Sequence, residues 1–135
     1  MINNYSEVCK KNQSQSHCRV GFSESLRRVR DRIDISSFEP SDRALANELI
    51  FIIAEVGTLP CDAKIQINGE KLSAETVSEV YAQLEKEHLE LVIEKFREAK
   101  YEIKYRKSYF RTALYNCVFE FESYYENQMR KDGIA

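Results

Sequence analysis

The chain has 135 residues, 43% of them hydrophobic and 31% charged, with a formal net charge of −2. That length carries one domain with a real core and leaves no room for two ordinary ones. The charge balance excludes a global basic field, so any affinity for nucleic acid has to come from a local patch. The longest apolar run, residues 49–54, is far below the roughly 20 residues that cross a bilayer, and no membrane contact is expected.

The first 22 residues are rich in Asn, Ser, Gln and Lys without an apolar period, and they read as a disordered leader or linker to a preceding domain. They hold neither the apolar core of a secretory signal nor an Arg-rich transit pattern, which makes a cytoplasmic location the expectation. Four cysteines, Cys9, Cys18, Cys61 and Cys117, form no C-x-x-C pair and are expected as reduced thiols. Cys9, His17 and Cys18 match no zinc spacing, so no metal or other cofactor is expected.

A single helical domain is expected over residues 23–131, ahead of a frayed tail at 132–135. Its first helix has Ser23 as cap and Leu26, Val29 and Ile33 at helical spacing, ending near Ser36 and Ser37. Pro40-Ser41-Asp42 is a start signal for a second helix, whose Leu45, Leu49, Ile52, Ile53 and Val56, joined by Ile50 and Phe51, make it apolar nearly all round; Gly57 closes it. The run KIQINGEKL, residues 64–72, reads as a hairpin, because Asn68-Gly69 suits the two positive φ angles of a type I′ turn and sets Ile65 opposite Leu72. Arms this short need the helices for support.

Ser73 then caps a helix bearing Val77, Val80, Tyr81 and Leu84, and another helix carries Leu89, Val92, Ile93 and Phe96. The outer sides of both are acidic, as a solvated helix face commonly is. His88, beside Leu89, reads as a capping or packing residue. Residues 107–130 are expected as a last helical segment with a kink near Asn116 and Cys117, since its apolar residues lose one clean phase, with Tyr124 and Tyr125 folding back on the core. The fold class is therefore mostly α, five or six packed helices with one small hairpin.

Residues 100–116, KYEIKYRKSYFRTALYN, set five basic residues and five aromatic ones in seventeen positions. If the run is helical, Lys100, Lys104, Lys107 and Arg111 stack along one face with Tyr101 and Tyr105 beside them. Lysines that hold phosphates next to rings that stack on bases meet the needs of single-stranded nucleic acid binding. Some of these cations also suit the negative C-terminal end of the preceding helix. Neither a phosphate-binding G-x-x-x-x-G-K-[ST] loop nor a G-x-G-x-x-G run is present, and the two histidines have no triad context, so no enzyme is expected.

Ile65-Gln66-Ile67-Asn68-Gly69-Glu70, Ser73, Val77, His88-Leu89, Val92-Ile93, Ile103-Lys104 and the run Tyr109 through Asn116 occur in an order that resembles the C-terminal domain of RepA_N-type replication initiators. Those serve plasmids and integrative mobile elements of Firmicutes, and the domain is similar to the DnaD-like helical domain. Val29-Arg30-Asp31-Arg32-Ile33-Asp34 resembles its lead-in, and Arg106 stands where an apolar residue is expected. The resemblance implies a DNA-replication initiation accessory domain with no catalytic residues. Its expected partners are single-stranded DNA, through Lys100, Tyr101, Lys104, Tyr105, Arg106, Lys107 and Arg111, or a replisome protein such as a helicase loader or primase. A purely protein–protein or oligomerisation module without DNA contact is the alternative, and self-association stays open.

Overall fold

A computed structural model describes residues 20–131, with side chains through residue 121. The leader up to residue 19, the tail at 132–135, the Cys9/His17/Cys18 group and the placement of Tyr124 and Tyr125 lie outside the described residues. Among those described, five α-helices enclose one core and a two-stranded hairpin leans on it. No described helix is long and apolar enough to cross a membrane.

Helix α1, Phe22–Arg32, starts one residue before the expected cap, with Gly21 at the N-cap and no side-chain cap. It stops earlier than the spacing suggests, because Asp34 draws the chain into a short 3-10 turn, Ile35–Ser37, by accepting the Ser36 N–H. Ile33 and Phe38, on either side of that turn, are buried. A second 3-10 turn, Pro40–Asp42, leads into α2, Arg43–Val56, so Ser41 lies in the lead-in and caps nothing.

Helix α2 is the central element: Leu49, Ile50 and Val56 are fully buried, and it touches α1, α3, α4 and α5, whose ranges follow. It is less uniformly apolar in its surroundings than its sequence suggests, for Phe51 is 40% exposed. Gly57 ends it at φ −66°, in ordinary helical backbone. The value of a glycine there is space, since a Cβ would lie 2.6 Å from the Ser25 hydroxyl.

Strands β1, Lys64–Ile67, and β2, Glu70–Ser73, pair antiparallel with Ile65 opposite Leu72, in the expected register. Asn68 at φ 54° and Gly69 at φ 81° form the turn. Ile65 and Ile67 enter the core, and the Asn68 amide exchanges two hydrogen bonds, 2.9 and 3.1 Å, with the Asn116 amide. The side-chain pair fastens the hairpin tip to the last helix.

Ser73 caps α3, Ala74–Tyr81, by accepting the Thr76 N–H at 3.2 Å. Leu84 falls beyond the helix but is buried in the turn. There Arg32 reaches back from α1 to the carbonyls of Ala82, 3.0 Å, and Leu84, 2.9 Å. These are carbonyls at a helix end, which a side-chain donor satisfies; burial holds the Arg32 pKa below its ordinary value.

Helix α4, Lys86–Glu98, begins with a capping box in which the His88 Nδ1 accepts the Glu85 N–H at 3.0 Å. The His88 ring also lies 4.8 Å from that of Phe121, so the residue both caps and packs. Residues 99–105 are not helical, and α5 runs from Arg106 to Lys131 without interruption.

The helix is thus unbroken where an interruption near Asn116 and Cys117 was expected. Phe110, Leu114, Cys117 and Val118 form its buried stripe, while Tyr115 and Phe119, which break the apolar phase of the sequence, meet at a tilt with ring centres 5.6 Å apart. The expectation of four reduced thiols also needs correction. Cys61 is disulfide-bonded, and Cys117 is free and buried.

Candidate interaction surface

The turn from α4 to α5 decides how the predicted contact residues are arranged. Helix α4 ends at Glu98, Ala99 adopts an extended conformation, ψ 130°, and the chain reverses so that α5 packs back on α4. The Tyr105 carbonyl opens α5 by accepting the Tyr109 N–H at 2.9 Å. Lys100, Tyr101, Lys104 and Tyr105 thus occupy a loop, and Arg106, Lys107 and Arg111 the first turns of a helix. The single helical stripe of the sequence reading does not form.

The loop residues are open to solvent, with Tyr101 65% and Tyr105 77% exposed. Among the described residues, no carboxylate pairs with Lys100 or Lys104. Behind the loop lies a cleft of about 580 Å³ whose walls include Val92, Lys95, Ile103, Tyr109 and Ala113, with Tyr101 and Tyr105 at the loop side. Tyr109 stands 6.0 Å from Phe96 and 5.5 Å from Phe110, ring to ring. Partial burial, with Tyr101 nearby, raises the pKa of its phenol. Tyr105 also borders a second hollow of about 410 Å³, shared with Arg106, Lys107, Ser108 and Arg111. Its ring is therefore a ridge with open space on either side.

The helical cations are engaged elsewhere. Arg106 forks onto Glu48 of α2 through two bonds of 2.9 Å each, and its guanidinium lies 5.0 Å from the Phe96 ring centre and 5.7 Å from that of Phe110. The hydrogen bond to Glu48 raises its pKa further. Lys107 meets Glu55 at 3.1 Å, and Arg111 reaches the same carboxylate at 3.4 Å. Arg111 is the least exposed of the three and its Nε has no hydrogen-bond partner among the described residues. The Arg111 carbonyl accepts the Tyr81 hydroxyl at 2.7 Å, which ties α5 to α3.

Residues 29–135 match the model of a family of unknown function, DUF6017. The chain belongs to the DUF6017 family. No curated protein and no solved structure matches it.

In this DUF6017 chain the seven predicted residues lie close together in sequence yet split into an open loop of four and an ion-paired group of three. Arg106, unexpected at a position reading as apolar, is accommodated by laying its flat face over two rings while its edge meets Glu48. The residues that sequence reasoning missed are Glu48 and Glu55. They lie seven positions apart on α2, and their partners stand 52 to 58 positions away, so no local spacing announces them. Among the described residues, no cluster of three His, Cys, Asp or Glu side chains is placed to hold a metal ion.

Proposed function

We propose that this DUF6017 chain is a DNA-replication initiation accessory domain, without catalysis of its own, that contacts single-stranded DNA through the loop at residues 99–105. The observation that carries the reading is the pair of exposed rings, Tyr101 and Tyr105, standing beside Lys100 and Lys104, which meet no carboxylate among the described residues. Rings free to stack and ammonium groups free to meet phosphates are the two components of strand binding without sequence preference. The resemblance to RepA_N-type initiators supplies the replication setting, on plasmids or integrative elements, in the cytoplasm. In that reducing compartment the Cys61 disulfide would open.

Fluorescence anisotropy with a labelled oligonucleotide tests the reading. Two phosphate contacts on a single strand give a log–log salt slope of roughly −1.4. Each stacked base lost on truncation costs about 1–3 kcal/mol, so Tyr101→Ala/Tyr105→Ala should weaken binding at least tenfold (about 1.4 kcal/mol). Affinity unchanged by that variant and by Lys100→Ala/Lys104→Ala would refute the assignment.

A protein–protein module is the second reading, favoured by a separate observation. Phe22 and Phe51 are each 40% exposed, with ring centres 5.6 Å apart, beside a hollow of about 400 Å³ that Ile52 also lines. A purified helicase loader or primase retained by the wild-type chain, but not by Phe22→Ser/Phe51→Ser, would favour this reading.

A further inference from the structure

We infer that Glu48 and Glu55 are specificity-determining residues that make the loop select single-stranded over duplex DNA, by occupying the cations of α5. The inference rests on the loop at residues 99–105 being the strand-contacting surface. Duplex affinity comes chiefly from phosphate neutralisation, since paired bases are already stacked on one another. Single strands gain in addition from bases that stack on protein rings. A surface that keeps its rings open while its cations are engaged therefore favours the single strand.

The α2–α5 contact has that form. Glu48 offers both carboxylate oxygens to the Nε and Nη2 of Arg106, at 2.9 Å each, the two-point geometry in which a guanidinium would otherwise take a phosphate. Two turns further along α2, Glu55 takes Lys107 at 3.1 Å and Arg111 at 3.4 Å. Three cations facing two carboxylates leave one positive charge in place of three. Tyr101 and Tyr105, by contrast, are 65% and 77% exposed.

These ion pairs are partly solvated, with side-chain exposures of 50% and 33% for Arg106 and Glu48. Exposed pairs stabilise little, so removing the carboxylates leaves the fold in place. Even where a phosphate displaces one of them, the carboxylate stays near it and repels it.

The test compares a labelled 20-nucleotide single strand with a 20-base-pair duplex across a salt series, on the wild-type chain and on Glu48→Gln/Glu55→Gln. In the variant, duplex affinity at low salt should rise at least tenfold. Its salt slope should steepen by up to about 2.7 for three released cations, against about 2.1 for the single strand. The single-strand preference should shrink accordingly. Adding Arg106→Gln/Lys107→Gln should erase the gain. Glu87→Gln/Glu94→Gln, which removes the same charge from exposed positions on α4, should not reproduce it.

An unchanged preference overturns the inference, as does an equal gain from the α4 control. A wild-type chain that fails to bind the single strand overturns the loop reading and this selectivity together. Single-strand binding with an unaltered duplex response overturns the selectivity alone. Circular dichroism establishes that each variant is folded; should the double variant fail to fold, Glu48→Gln alone carries the same expectation with a smaller gain.

Discussion

Replacing Gly57 by Ala looks harmless from its backbone, which is helical at φ −66° and ψ −12°. In isolation the change would stabilise by about 0.5–1 kcal/mol, by restricting the unfolded chain. The surroundings reverse the sign. Ser25 of α1 is 6% exposed and donates its hydroxyl to the Ala54 carbonyl at 2.8 Å. That carbonyl lies at the end of α2, where the Thr58 N–H turns instead to Glu55, 3.0 Å away. A Cβ on residue 57 would stand 2.6 Å from the Ser25 oxygen and 3.3 Å from the Ala54 oxygen. Crowding of this kind costs about 1–3 kcal/mol, and a weakened hydrogen bond adds about 1 kcal/mol. Net destabilisation of about 2 kcal/mol is expected for Gly57→Ala.

A double-mutant cycle isolates that contact. Ser25→Ala strips the Ala54 carbonyl of its partner and should cost about 1–2 kcal/mol. With the oxygen gone, the nearest remaining Ser25 atom is its Cβ at 3.8 Å, an ordinary contact. Gly57→Ala should then cost close to nothing, for a coupling of about 2 kcal/mol between the sites. Urea unfolding followed by circular dichroism measures all four proteins. Costs that add to within about 0.5 kcal/mol would refute the reasoning.

Two further outcomes follow from single residues. Gly69→Ala should lose about 1–2 kcal/mol, because φ is 81° with nothing within 4 Å of the added Cβ, and Gly69→Asn should lose less, since Asn tolerates that backbone; equal urea midpoints for the three would contradict the turn assignment. Burial pushes the Cys117 thiol up to about 12 from an ordinary 9.0, and the Tyr81 phenol likewise upward. Both groups thus contribute stability that is present below their unfolded values and lost as pH rises from about 9 toward 12 and beyond. Peptide mapping after brief alkylation at pH 8 should find Cys117 unmodified until the chain unfolds, and Cys117→Ala should flatten the alkaline loss; prompt labelling in the folded state would count against the packing.

The central helix, the hairpin with its register and the Ser73 cap were legible because each rests on neighbours in sequence: apolar phase, turn chemistry and a capping hydroxyl. The break after Glu98 was not. Phe96, Ile103 and Phe110 recur every seven residues, a spacing that one long helix and two helices joined by a loop satisfy equally, and residues 99–105 hold no Gly or Pro to mark the turn. That ambiguity produced the imagined stripe of Lys100, Lys104, Lys107 and Arg111. Within the candidate surface, the exposed tyrosines could be named in advance. The Glu48 and Glu55 pairings could not, for they exist only once α5 has folded back across α2.

Synthesis on the ribosome runs from N to C, and here that direction matters. Helix α5 supplies Phe110, Leu114 and Val118 to a core whose other walls, α2, α3, α4 and β1, are all made before it emerges. Arg106 meets a carboxylate 58 residues upstream, and Asn116 an amide 48 residues upstream. Until those partners arrive, the earlier elements wait with their apolar faces uncovered, in reach of chaperones and proteases. The domain closes as a unit only when α5 has left the tunnel, and an interrupted product ending before residue 106 remains an open one.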